Sequence, residues 1–142
     1  MRKALTLVGI MVFIAVISLI SAVSISKFLR DKINNNESVA REILKTIATA
    51  LDKYAADHNG VYANSESQLF PKSMGGEAAL PYLNKSYCTK TESGYTYSCD
   101  LKVTGYTLTA RPQNCVTVGS KSFTMTIGGP ITEDATCTAF GG

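Results

Sequence analysis

The sequence predicts an α+β chain, in which a long N-terminal α-helix packs on a small antiparallel β-meander head. Three observations carry this expectation. From Ala4 to Ser26 there is neither a charge nor a proline. Apolar residues then recur at helical spacing as far as Tyr54. After Gly94 the apolar period shortens to two, the alternation of half-buried strands.

The uncharged run comes first. Its 23 residues rise about 1.5 Å each in a helix, so they reach about 35 Å and exceed a bilayer core of about 30 Å. Arg2 and Lys3 precede it, which places the N-terminus in the cytoplasm and everything after Lys27 outside. A secretion signal shares this plan, and Ala22-Val23-Ser24 could serve as its cleavage site. The apolar core of such a signal spans about 7–15 residues, fewer than stand here, which favours an anchor.

No linker follows. In residues 27–58, Ile33, Ala40, Ile43, Leu44, Ile47, Leu51 and Tyr54 mark one apolar stripe among charged neighbours. Glu37 and Arg41 stand four apart in the favourable order for a surface pair. Asn34-Asn35-Asn36 has poor helix propensity, leaving either one helix over residues 5–58, about 80 Å long, or two helices broken at the asparagines. Asn59-Gly60 supplies a left-handed C-cap.

Three alternating runs make the sheet, expected over residues 95–127. Tyr95, Tyr97, Cys99 and Leu101 form the first, Tyr106, Leu108 and Ala110 the second, and Phe123, Met125 and Ile127 the third. Gly94 opens the first, Thr104-Gly105 turns it into the second, and Gly128-Gly129-Pro130 stops the third. One face of such a sheet needs a cover, and the helix stripe is the large surface available. Residues 61–90 read as a connecting region with a helical turn around Glu77–Leu83.

Charge is unevenly spread. Residues 1–58 hold eight of the 14 basic and five of the 11 acidic side chains, leaving six of each for 59–142. A neutral head of 84 residues offers no basic patch for nucleic acid. Cys88, Cys99, Cys115 and Cys137 suit two disulfides in an oxidising compartment, with three pairings open. No C-x-x-C pair points to zinc, and no glycine loop points to phosphate. His58, the single histidine, stands at a helix end and is expected to cap carbonyls. Glu133-Asp134 reads as a solvated turn, and the seven tyrosines as core and rim packing. Asn36-Glu37-Ser38 and Asn84-Lys85-Ser86 match the N-glycosylation pattern. No cofactor, metal or catalytic group is expected.

Together these features resemble the type IV pilins and type II secretion pseudopilins. That family's mature chain begins F-T-L-I-E-L-M-V-V-I-A, and residues 5–15 here read LTLVGIMVFIA. Thr6, Leu7, Ile10, Met11, Val12, Ile14 and Ala15 fit closely, and Ala22 and Phe28 fall where the family places an alanine and an aromatic. LDKYAADHNGVYANSESQLF, residues 51–70, is similar to the stretch after the helix in the major pseudopilin. Cys115 and Cys137 bracket the last strand as the C-terminal disulfide does in many type IV pilins. The expected bonds are therefore Cys88–Cys99 and Cys115–Cys137, each closing over one strand and a loop.

The resemblance implies a leader, residues 1–4, removed by prepilin peptidase between Ala4 and Leu5, with methylation of the new amine. It also implies a structural subunit held in the inner membrane of a prokaryote, then polymerised with copies of itself into an extracellular or periplasmic filament. Pilus assembly machinery would be a further partner. The reading set against it is a non-polymerising exported or anchored module with a small disulfide-stapled head that binds something. Helices approach closely over small residues, here Gly9, Ser18, Ser21, Ala22, Ser24 and Ser26, although such serines also bond the preceding turn's carbonyls. Three positions depart from the family: Ala4 replaces the glycine before the cut, Gly9 the glutamate at mature position five, and Ser26 a proline. In the family that glutamate meets the N-terminal ammonium of a neighbouring subunit. Without it, register falls to helix packing and head contacts. Gly9→Glu is expected to be tolerated or mildly helpful, and the bulky Gly9→Phe to impair assembly, as read by the yield of sheared filaments.

Overall fold

A computed structural model describes residues 2–115 and 117–134, with side chains at positions 2–5 and 22–25 outside the description. The chain divides into two units, Met1–Lys32 and Ile33–Gly142. A single helical element, α1 (Arg2–Asp57), supplies the first unit and opens the second. It passes through Asn34-Asn35-Asn36 without a break. It ends where the sequence places the cap: Asn59 (φ 57°) and Gly60 (φ 84°) are left-handed, and the Gly60 amide donates to Ala55 O at 2.7 Å.

In the second unit the stripe of α1 is buried. Ala40, Ile43, Leu44, Ile47, Ala48, Leu51 and Ala55 are closed off from solvent, while Ile33 and Tyr54 are half-buried at its margins. Opposite lies an antiparallel sheet of five strands in sequence order. These are β1 (Thr91–Glu92), β2 (Tyr95–Lys102), β3 (Gly105–Pro112), β4 (Ser122–Thr126) and β5 (Thr132–Asp134). Tyr97 pairs with Ala110, and Ala110 with Phe123; Cys99 pairs with Leu108, and Leu108 with Met125. The alternating runs thus bring their apolar sets onto one face, except for Ile127, which closes the third run in the sequence pattern but lies in the turn after β4 and is exposed. Tyr95, Tyr97, Leu108 and Phe123 form one fully buried core with Leu44, Ile47 and Leu51 of α1.

Two strands exceed the expected three. At two and three residues, β1 and β5 are too short to show a period. A two-residue turn with positive φ at Ser93 (51°) and Gly94 (78°) folds β1 onto β2, the geometry that suits a hairpin's twist. β5 also corrects the reading of Glu133-Asp134, which lie in a strand and not in a turn.

The connecting region differs as well. Short 3-10 helices stand at Glu66–Leu69 and Lys72–Met74, and 77–83 is not helical. Its amides are spent elsewhere. Glu77 N donates to Ser67 O at 2.9 Å, Ala78 N to Phe70 O at 2.8 Å, and Tyr82 N and Leu83 N to Leu69 O at 3.0 and 3.1 Å. A disulfide joins Cys88 to Cys99 and fastens the end of this region to β2. Cys115 is disulfide-bonded too, but the expected partner Cys137 lies outside the described residues.

Gly94 is where the hairpin meets Val118, in the segment before β4. A Cβ there would stand 2.3 Å from Val118 Cγ1, at a φ of 78°. Gly94→Ala should therefore cost about 2–3 kcal/mol of stability in a urea titration. Adding Val118→Ala should recover only the steric share of that loss.

Candidate functional site

The first unit presents apolar side chains on every side. Leu7, Val8, Ile10, Met11, Val12, Phe13, Ile14, Val16, Ile17, Leu19 and Ile20 are all between 47% and 71% exposed. A helix that is apolar all round needs lipid or other helices around it. Among the described residues this is the one helix stretch long and apolar enough to cross a membrane.

The small residues on it do not form a single stripe. At about 100° per residue, Ser18, Ser21 and Ser26 share one side of the helix and Gly9 faces the other. Ser18 Oγ donates to Ile14 O at 2.8 Å and Ser21 Oγ to Ile17 O at 2.9 Å. Each hydroxyl is thus satisfied within its own helix, which lets it sit in an apolar medium at little cost. Nothing lies within 4 Å of a Cβ built on Gly9. Ser26 is exposed. The side chains of Ala4, Leu5, Ala22 and Ser24 lie outside the description.

The head holds a set of carboxylates that periodicity does not reveal. Glu37 is buried, and its Oε1 accepts from the Ser120 amide at 2.9 Å and the Ser120 hydroxyl at 2.7 Å. Beside it, the buried Asn36 donates from Nδ2 to Val118 O at 2.9 Å, so Asn36 is no surface acceptor for a glycan, whereas Asn84 is exposed. Arg41 does not pair with Glu37, contrary to the surface pair expected. It reaches across to Glu133 on β5, and its guanidinium sits 4.9 Å from the Phe123 ring centroid. Lys121 Nζ joins Glu133 at 2.9 Å, and these cations hold the Glu133 carboxyl below the usual carboxylate range. Glu66 gathers the loop before the disulfide, accepting from the Tyr87 and Cys88 amides at 2.6 and 3.0 Å and from Ser86 Oγ at 2.8 Å. Asp52 accepts from the hydroxyls of Tyr62 and Tyr106, each at 3.3 Å.

His58 caps as expected: its Nδ1 lies 2.8 Å from Tyr54 O and its ring stacks on Tyr54 at 3.9 Å between centroids. Tyr54, His58, Gln68, Glu77, Leu80 and Tyr82 line an open groove of about 330 Å³. The imidazole there is committed to its own helix end and is not paired with a nucleophile. Among the described residues no group of three His, Cys, Asp or Glu could hold a metal. The largest exposed apolar surface among the described residues is the helix stretch from Leu7 to Ile20. The fold and that helix define a class: an α+β head carried on a helix of membrane-crossing length. Comparison with family profiles, curated proteins and solved structures finds no match to this chain.

The tyrosines give the head a definite alkaline limit. Hydrogen bonding to Asp57 raises the Tyr82 hydroxyl to about 12, and burial followed by Asp52 raises Tyr106 to about 12. Burial also raises Tyr95 and Tyr97, whose hydroxyl is enclosed without a partner. All stand above the ordinary value of 10.0, so the folded state holds protons that the unfolded chain releases. Their contribution is complete below pH 10 and is lost as pH climbs from there towards about 12. Ultraviolet titration should show these phenols ionising together with the loss of circular dichroism, and not before it.

Proposed function

We propose that this chain is a structural subunit, a pilin or pseudopilin, that polymerises through its apolar N-terminal helix into a type IV pilus-like or type II secretion-like filament. The observation that carries the reading is the full ring of exposed apolar side chains over residues 7–20, placed on the same helix whose stripe builds the head's core. A membrane anchor alone requires the first feature but not the second. A filament subunit requires both, because the helix must be stored in lipid and then packed against other helices, while the head stays folded throughout.

The physical cycle follows from this surface. In the inner membrane of a prokaryote, residues 5–26 span the bilayer and prepilin peptidase trims the leader at Ala4–Leu5. In the filament, like helices replace lipid around the same side chains, with dispersion and shape as the driving terms. Gly9 leaves no carboxylate for the new N-terminal ammonium, so the Thr6 hydroxyl and backbone carbonyls become its nearest acceptors. The role is structural and not catalytic, and the partners are copies of this chain together with the assembly machinery.

The mature protein, isolated from its own cells, should begin at Leu5 with a methylated amine by mass spectrometry, and should appear in the sheared extracellular or periplasmic filament fraction. A mature chain beginning near Ile25, or a protein that remains monomeric in the membrane fraction, would instead establish the exported or anchored module.

A further inference from the structure

The uncharged run of α1 carries charge at both of its edges. Before it stand Arg2 and Lys3; directly after it come Lys27, Arg30, Asp31 and Lys32. Three cations and one carboxylate leave residues 27–32 with a net charge of +2. All four charged side chains are exposed, as are Phe28 (69%) and Leu29 (41%) between them. Among the described residues none of the four enters an ion pair. The paired cations Arg41, Lys85, Lys102 and Lys121 all belong to the second unit of the chain.

Spacing decides what these cations can meet. At about 100° per residue, Arg30 and Lys32 project from nearly opposite sides of the helix, and Lys27 stands about 60° from Arg30. The three form a belt around the helix and not a stripe along it. A folded protein or a nucleic acid approaches a helix from one side and would reach one or two of them, whereas a bilayer surface surrounds it. A second copy suits the belt no better, because its residues 1–30 contain no carboxylate to offer. Depth agrees with lipid. The uncharged run just exceeds the hydrocarbon core, and residues 27–32 rise about 9 Å beyond it, through a headgroup layer about 5–8 Å thick. Phe28 and Leu29, set among the cations, suit a layer that is part apolar and part charged.

We propose that residues 27–32 bind anionic phospholipid headgroups, with Lys27, Arg30 and Lys32 as the cations that hold them. The belt lies at the bilayer surface opposite that of Arg2 and Lys3. This proposal rests on the reading of residues 5–26 as a membrane span, and its residues all belong to the first unit of the chain.

The test is electron spin resonance of the full chain reconstituted in phosphatidylcholine vesicles, with spin-labelled phosphatidylglycerol or phosphatidylcholine as the probe. Lipid beside a membrane-spanning helix is immobilised, and the immobilised fraction of each probe gives their relative affinity. Arg2→Gln/Lys3→Gln is the reference chain, so that the cations after the run dominate. There phosphatidylglycerol should be preferred about fivefold, the effect of one added charge contact at a membrane surface. Adding Lys27→Gln/Arg30→Gln/Lys32→Gln should cut this preference at least about threefold. Immobilised phosphatidylcholine should stay unchanged, which shows that the variant still inserts. Asp31→Asn should strengthen the preference, and salt at about 1 M should weaken it. Equal affinity for the two lipids, or a preference that survives the triple substitution, would overturn the proposal. Immobilisation of neither probe would overturn the membrane-spanning reading, and the proposal with it.

Discussion

Everything in the head depends on the contact between the apolar stripe of α1 and the inner face of the sheet. Leu44, Ile47 and Leu51 meet Tyr97, Leu108 and Phe123 in one fully buried cluster. A small antiparallel sheet without such a cover is marginal in water, and the helix without its sheet is an isolated amphipathic segment of the kind that barely holds together. The remaining devices act on this contact. The Cys88–Cys99 bond and the Glu66 carboxylate tie the connecting region down beside it, while Glu37 and Asn36 hold Ser120 and Val118 against the helix. Arg41 carries a cation over Phe123 to reach β5.

One helical element therefore serves two solvents. From Ala40 to Ala55 its apolar side is satisfied inside the chain; from Leu7 to Ile20 its apolar sides are exposed all round. Burial of apolar area is worth about 25 cal/mol per Å², so the exposed segment has a strong demand for lipid or for protein. The proposed filament meets that demand with copies of the same surface. The serines that turn inward to Ile14 and Ile17 keep it free of unsatisfied donors in either setting.

The fold was largely legible because its main elements are long enough to show a period. The helix stripe, the runs of alternating residues up to Met125 and the Asn59-Gly60 cap fall where the side-chain pattern puts them, while Ile127 falls in the turn after β4. What the sequence hides is what lacks a period. β1 and β5 are too short to alternate, and the 77–83 segment spends its amides on residues 67–70, a choice made by tertiary contact. Glu37 illustrates the same limit most sharply. In sequence it is a helix-surface charge four residues before an arginine, whereas in the fold it is a buried acceptor for a loop 83 residues away. The acidic pair 133–134 reads as turn residues but lies in β5, where Glu133 serves as the anchor for Arg41 and Lys121. At the apolar helix, the sequence shows the surface fully, and the bonding of Ser18 and Ser21 is one of the two roles it allows. It does not show what covers that surface.

What covers it is the central claim, and a photo-crosslinking amino acid placed at Phe13, 67% exposed, tests it most directly in the intact cell. Illumination should produce a ladder of multimers, each subunit joined through position 13 to another copy of this chain. Adducts confined to lipid, with the protein remaining monomeric, would contradict the account.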